Sequence, residues 1–140
     1  MERPKVTPEM IVQAAQKLGD ENGWDADDVA DVAKTWRAYM NGYDLAKALD
    51  TYCGWDIDVS DVEALDGMGA EVREIHRAAC WAWAKDHYVQ PPLPIGTMTT
   101  LGEITGISED YAACYKVRAN GETNDSRRLI VKFEDARRST

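Results

Sequence analysis

The sequence predicts an α+β protein in which helices come first and strands follow, and three observations support this class. Apolar side chains recur at helical spacing through roughly the first 90 residues. The segment "QPPLP" then places three prolines where a helix cannot continue. Beyond it the chain is rich in Thr, Ile, Val and Tyr, with Gly, Asn, Asp and Ser between the apolar runs, which is typical of short strands joined by turns.

The start and stop signals divide the first part into four helices. Thr7 and Pro8 look like an N-cap and first helical residue, Asp25 can cap a second helix, and a third follows Asp44 with Leu45, Ala48, Leu49 and Tyr52 on one face. Gly19, the "NG" after Met40 and Gly54 are the corresponding stop signals. The predicted helices span about residues 8–18, 26–40, 44–53 and 60–87.

The fourth predicted helix is the longest element and should form the spine of the fold. Val62, Leu65, Val72 and Trp83 lie within one angular sector when the segment is drawn as a helix. Gly67 and Gly69 are the positions at which it would kink. The prolines after it predict an extended, stiff connection over residues 91–95.

Residues 96–134 are predicted to form a small antiparallel β-sheet or partial barrel. The pieces "GEITGI", "YKV" and "VKFEDA" give this part a resemblance to small Tudor-like or KOW-like β-barrels. We predict three regions within one cooperative unit, because neither end of the chain has a generous core of its own. They are an acidic helical region (1–90), a proline strut (91–95) and a small β module packed on the helices (96–140).

"PPLP" also matches the proline-rich ligands of peptide-binding domains with paired tryptophans. We favour an architectural role for it, as a helix stop and strut, because predicted elements abut it on both sides.

The net charge of −9 is distributed unevenly along the chain. Residues 1–90 carry 18 acidic and 9 basic side chains, whereas residues 91–140 carry 7 of each. Binding to phosphates requires Lys and Arg, so we do not expect the first part to bind nucleic acid directly. The excess of carboxylates favours a protein partner with a basic surface.

No motif in the sequence indicates catalysis, a cofactor or a metal ion. Two acidic runs, "WDADDVAD" and "WDIDVSDVEALD", fail the calcium-loop pattern, and only His76 and Cys80 of the long helix are spaced to share a metal. We therefore expect no enzyme activity and no cofactor. The three separated cysteines, the absence of a secretory leader and the absence of a long apolar segment predict a cytoplasmic protein that does not enter a membrane.

Trp81 is the leading candidate for a binding residue, because it projects away from the core sector of the long helix onto a charged face. Two interpretations stay open: the β module covers Trp81, or Trp81 contacts a partner, including a second copy of the chain. The predicted partner-binding set joins it to five acidic residues: Asp27, Asp28, Asp31, Glu63 and Glu74.

An alternative site lies in the β module, whose basic and aromatic side chains could hold a peptide or nucleic acid. Its members would be Tyr111, Tyr115, Lys116, Arg118, Arg127 and Arg128.

As a whole the chain is similar in type to small accessory proteins of phages and prophages, which are short, acidic and poor in motifs. That resemblance implies a non-enzymatic inhibitor, which would occupy a basic or nucleic-acid-binding surface of a host defence complex such as a CRISPR effector. An adaptor acting through the β module and a small enzyme with an unrecognised site are the alternatives.

Overall fold

A computed structural model describes residues 2–139 and has the predicted α+β architecture. Helices precede a three-stranded antiparallel sheet of order β1-β2-β3. The helices are α1 (Pro8–Asn22), α2 (Ala26–Thr35), α3 (Gly42–Cys53), α4 (Val59–Asp66) and α5 (Met68–Asp86). The strands are β1 (Gly102–Ile107), β2 (Cys114–Ala119) and β3 (Leu129–Lys132). The chain divides into two compact units, which we call the helical unit (Pro4–His76) and the sheet unit (Met1–Arg3 with Arg77–Thr140).

Three predicted helix boundaries are corrected. Helix α1 continues past Gly19 and ends at Gly23, whose φ of 74° is the left-handed conformation that suits a C-cap. Gly19 instead lies buried within the helix, where a Cβ atom would come within 2.6 Å of Val29. Helix α2 stops at Thr35 because Trp36 turns to an extended conformation. The predicted fourth helix is divided at Gly67 into α4 and α5.

The helical unit is built around the apolar stripes of α1 to α4 and the start of α5. Three of its helices begin with reciprocal capping boxes, in which an Asp or Asn side chain and an Asp three residues later satisfy each other's backbone N–H groups. The buried core comprises Ala14, Ala15, Leu18, Val29, Val32, Trp36, Leu45, Ala46, Leu49, Leu65, Met68 and Val72. Tyr52 was predicted on the apolar face of its helix but is 82% exposed.

The sheet unit has its core on one face of the sheet. Tyr115 is fully buried beside Phe133, with ring centroids 4.5 Å apart, and Trp83, Val89 and Leu93 pack against the same cluster. A bulge between Ile104 and Gly106 shifts the β1–β2 register. The sheet is open and does not form a barrel, because its three short strands pair in the order β1-β2-β3 and β1 does not pair with β3.

The proline segment differs from a straight strut. Its backbone bends at Pro92 and Leu93 and turns at Ile95 and Gly96. Leu93 is held on the sheet unit by Tyr115, whose hydroxyl donates to the Leu93 carbonyl at 3.0 Å and accepts from the Leu93 N–H at 2.8 Å. The prolines themselves are exposed, contrary to the expectation that neighbouring elements would enclose them. The bend removes the regular polyproline conformation that PxxP-binding grooves recognise.

Candidate protein-binding surface

The excess negative charge of the chain belongs entirely to the helical unit. Residues 4–76 contain 16 acidic and 6 basic side chains, a net charge of −10, whereas the sheet unit contains 9 acidic and 10 basic side chains, a net charge of +1. Even if every cation of the helical unit paired with one carboxylate, ten carboxylates would have no cation of their own unit. This excess makes the helical unit a strongly acidic surface.

Some of the acidic residues have structural roles. Asp28 is part of the α2 capping box: its carboxylate accepts from the Asp25 N–H at 3.3 Å and its own N–H donates to Asp25 at 2.8 Å. Asp31 accepts a hydrogen bond from the indole of Trp55 at 3.1 Å and lies 3.6 Å from the ammonium of Lys34. These two predicted binding residues therefore also stabilise the fold, and charge reversal there would disturb it.

The remaining acidic candidates are on the surface. Asp27 lies in the first turn of α2, and Glu63 and Glu74 lie on α4 and α5; all three are exposed.

Asp58, which caps α4, accepts the backbone N–H of Asp61 and the hydroxyl of Ser60. These hydrogen bonds lower the pKa of Asp58, and the N–H of Asp61 has the largest effect.

A shallow groove of about 210 Å³ runs between α3 and α4 in this acidic unit. Gly42 lets the two helices approach closely, because a Cβ atom at this position would overlap the Val62 carbonyl oxygen. The Gly42 N–H donates to the Asp66 carboxylate at 2.7 Å and fixes this contact. The groove is lined by Tyr43, Ala46, Lys47, Asp50, Ile57 and Val62. No feature of the sequence pointed to it, since its residues come from three segments.

Trp81 lies in the sheet unit, at the second half of α5. Its indole is 40% exposed, and its N–H donates to the Asp110 carbonyl at 3.4 Å. Arg77 donates to the same carbonyl at 2.6 Å, and its guanidinium lies 5.7 Å from the ring centroid of Tyr111. The structure thus brings together two residues that the sequence assigned to different sites, Trp81 and Tyr111, around the β1–β2 loop. The loop contacts Trp81 and leaves part of its surface accessible.

The predicted members of the alternative site in the β module differ in their exposure and contacts. Tyr115 is buried in the core, so it is not accessible to a ligand. The Lys116 ammonium lies 3.9 Å from a Glu109 carboxylate oxygen, and the Arg118 guanidinium lies 3.3 Å from an Asp125 carboxylate oxygen. Arg128 donates to the Thr105 hydroxyl at 3.0 Å. Arg127 is exposed next to the turn. Several basic side chains of this site therefore already have carboxylate or hydroxyl partners within the sheet unit.

Arg3 is a structural residue that the sequence analysis missed. Its guanidinium donates to both carboxylate oxygens of Glu134, at 2.8 and 3.0 Å, and to the carbonyls of Ala112 and Ala113, at 2.6 and 2.7 Å. It also lies 5.2 Å from the ring centroid of Trp83. The hydrogen bonds with Arg3 lower the pKa of Glu134, and those with Glu134 raise the pKa of Arg3. Arg3 and Glu134 are 131 positions apart in the sequence, so no local sequence pattern could predict this ion pair.

Potential metal ligands are dispersed in the described residues. The imidazole Nε2 of His76 lies 2.8 Å from the Pro4 carbonyl oxygen. Within residues 2–139 no cluster of three or more His, Cys, Asp or Glu side chains could hold a metal ion. No helix in that range is long and apolar enough to cross a membrane.

Comparisons with protein-family models, curated proteins and solved structures found no match for this chain.

Proposed function

We propose that this protein acts by binding, with the acidic helical unit as the surface that engages a basic region of a partner protein. The observation that carries the proposal is the segregation of charge: a net −10 on residues 4–76 against +1 on the rest of the chain. Acid-rich capping accounts for part of this composition, but Asp27, Glu63 and Glu74 lie outside the capping boxes and are exposed. Such a field attracts cations and repels nucleic acid and anionic membrane surfaces.

The class of partner follows from the same charge. A basic protein surface that normally holds a nucleic acid is complementary to a compact acidic unit, and an acidic protein seated on it would exclude the nucleic acid. Inhibition by occupancy requires no catalytic group in the inhibitor. The resemblance in type to phage accessory proteins makes a host defence complex, such as a CRISPR effector, the partner that we propose.

Capture of partners from a bacterial lysate tests this function. The immobilised full-length chain should retain proteins with basic surfaces at about 0.05 M salt and lose most of them at about 0.5 M, since the Debye length falls from roughly 14 to 4 Å. The double variant Asp27→Lys/Glu63→Lys should capture less of the same proteins. It avoids Asp28 and Asp31, whose hydrogen bonds support the fold.

Asp86→Lys/Glu109→Lys is the matched control, because it changes the net charge by the same amount on exposed residues of the sheet unit. It should capture the same proteins as the parent chain. Equal loss of capture by both double variants would show that total charge matters and that the helical unit is not the binding surface.

A further inference from the structure

We infer that the groove between α3 and α4 is a docking site for a basic amphipathic helix of the partner, whose apolar side chains enter the groove while its Lys and Arg face the acidic side chains of residues 42–66. This inference rests on the proposed function and locates the binding surface within the helical unit.

The groove has a mostly apolar lining and lies in an acidic segment of the chain. Tyr43, Ala46, Ile57 and Val62 provide the apolar lining, and Tyr43 is 63% exposed despite its size. The segment that builds the groove, residues 42–66, carries seven acidic side chains and one basic side chain. A net charge of −6 on this segment repels an acidic or phosphate-bearing ligand and complements a cationic one.

The size and shape of the groove favour a helix as its occupant. At about 210 Å³ it is smaller than the roughly 300–1,000 Å³ of sites that enclose small molecules. It can therefore receive a few anchoring side chains. Tyr43, Ala46, Lys47 and Asp50 follow one stripe of α3 at the i, i+3, i+4 and i+7 spacing, with the small Ala46 between larger neighbours. A groove between two helices with a small residue in its floor accepts the ridge of a third helix, as in helix-in-groove recognition.

Other exposed apolar side chains occur in the same stretch of the chain. Tyr39, Tyr43 and Val59 are all at least 63% exposed and fall within 21 consecutive positions. Tyrosine is enriched in binding surfaces because its ring provides apolar contact and its hydroxyl remains hydrated or hydrogen-bonded. Lys47 is the one cation among the groove-lining residues, so it opposes a basic ligand.

A synthetic peptide serves as the probe. It is an amphipathic helix of about 18 residues with Leu at i, i+3, i+4 and i+7 and Lys elsewhere, labelled with a fluorophore. A second peptide has the same composition in an order that creates no apolar face. Fluorescence anisotropy with the full-length protein should show that the amphipathic peptide binds at least about tenfold more tightly than its scrambled counterpart. Its binding should shift the NMR signals of the Ile57 and Val62 methyl groups.

Three variants on α3 test the groove against the rest of the surface. Tyr43→Ala should weaken binding of the amphipathic peptide about tenfold, because Tyr43 lines the groove. Tyr52→Ala is the matched control: Tyr52 is also exposed but lies nine positions along the helix, on the opposite face. It should leave the affinity unchanged. Lys47→Glu should tighten binding about threefold at low salt, because it replaces a repulsive charge with an attractive one.

The outcomes distinguish this inference from the proposed function. If both peptides bind equally well, weaken with salt and respond equally to Tyr43→Ala and Tyr52→Ala, the acidic unit binds basic partners but the groove is not the docking site. If neither peptide binds and Asp27→Lys/Glu63→Lys leaves partner capture unchanged, both this inference and the proposed function are wrong. Thermal melting of each variant confirms that a loss of binding is not a loss of fold.

Discussion

The two units of this protein encode their structures in different ways. In the helical unit the signals that begin and end the helices are local in sequence. Each capping box joins residues three positions apart, and Gly23 and Gly54 end α1 and α3 in the left-handed conformation. In the sheet unit the decisive contacts are remote: Arg3 reaches Ala112, Ala113 and Glu134, and Tyr115 holds Leu93 from 22 positions away. Local signals can be read from a sequence, whereas remote pairings require the folded chain.

The units also differ in how charge is used. The helical unit carries far more carboxylates than its cations can balance, and most of its acidic side chains are exposed. The sheet unit is nearly neutral, and several of its cations have a partner within the unit. Charge in the sheet unit thus serves mainly structure, and this contrast is the basis for assigning binding to the helices.

The largest expected effect concerns the boundary between helices and strands. A fragment of residues 91–140 should be unfolded, because it lacks Trp83 and Val89, which pack against the sheet core, and Arg3, which bonds to two of its carbonyls. NMR should show poor dispersion and far-UV circular dichroism little ordered structure. A well-dispersed spectrum would contradict the prediction that the chain is one cooperative unit.

Trp83 and Trp81 should differ sharply in their effect on stability. Trp83→Ala removes a side chain that packs on the sheet core and should lower the free energy of unfolding by about 3–5 kcal/mol. Trp81→Ala removes a partly exposed side chain with one long hydrogen bond and should cost about 1 kcal/mol. Urea unfolding of both variants measures the difference. Equal costs would show that Trp81 is as much a part of the core as Trp83.

Arg3→Ala should destabilise the protein by about 2–4 kcal/mol, because it leaves the carbonyls of Ala112 and Ala113 without their charged donor and uncovers Trp83. Arg3→Lys should recover only part of this loss, since an ammonium cannot reproduce the fork of hydrogen bonds. Chemical unfolding provides the measurement. A loss no larger than that of a typical surface substitution would contradict the structural role of Arg3.

The same contact predicts a pH dependence. Because the pKa of Glu134 is lower in the folded state, its stabilising effect is present above the ordinary pKa of 4.5 and is lost as the pH falls through the lowered value. NMR titration of the Glu134 carboxyl should show this lowered pKa, and Arg3→Ala should return it toward 4.5. An unchanged titration in the variant would mean that Arg3 is not its cause.

The smallest expected effect is a gain in stability at the end of α5. Tyr88 has a φ of 50° and is 84% exposed, at the position where the other unit uses glycine to end α1 and α3. Tyr88→Gly should therefore stabilise the protein by about 0.5–1 kcal/mol, because glycine adopts this conformation without strain. A higher melting temperature would confirm it, and a loss of stability would show that the tyrosine ring makes a contact that outweighs the strain.

The sequence predicted the α+β class and most of the helix starts, because N-caps and apolar stripes are local features. It misplaced the ends of α1 and α2, since Gly19 serves helix packing and Trp36 leaves its helix to become buried. Among the site residues, periodicity could not reveal that Asp31 holds Trp55, that Tyr115 is buried, or that Tyr111 lies beside Arg77. Each of these depends on which segments meet in the fold.

The most direct test of the binding role is the affinity of the full-length chain for a purified captured partner, measured by titration calorimetry at about 0.05 and 0.5 M salt. We predict that the parent chain binds more weakly at the higher salt concentration. At low salt, Asp27→Lys/Glu63→Lys should bind about tenfold more weakly than the parent chain, and Asp86→Lys/Glu109→Lys should bind as tightly as the parent chain. An affinity that is insensitive to salt and unchanged in Asp27→Lys/Glu63→Lys would contradict the acidic helical unit as the binding surface.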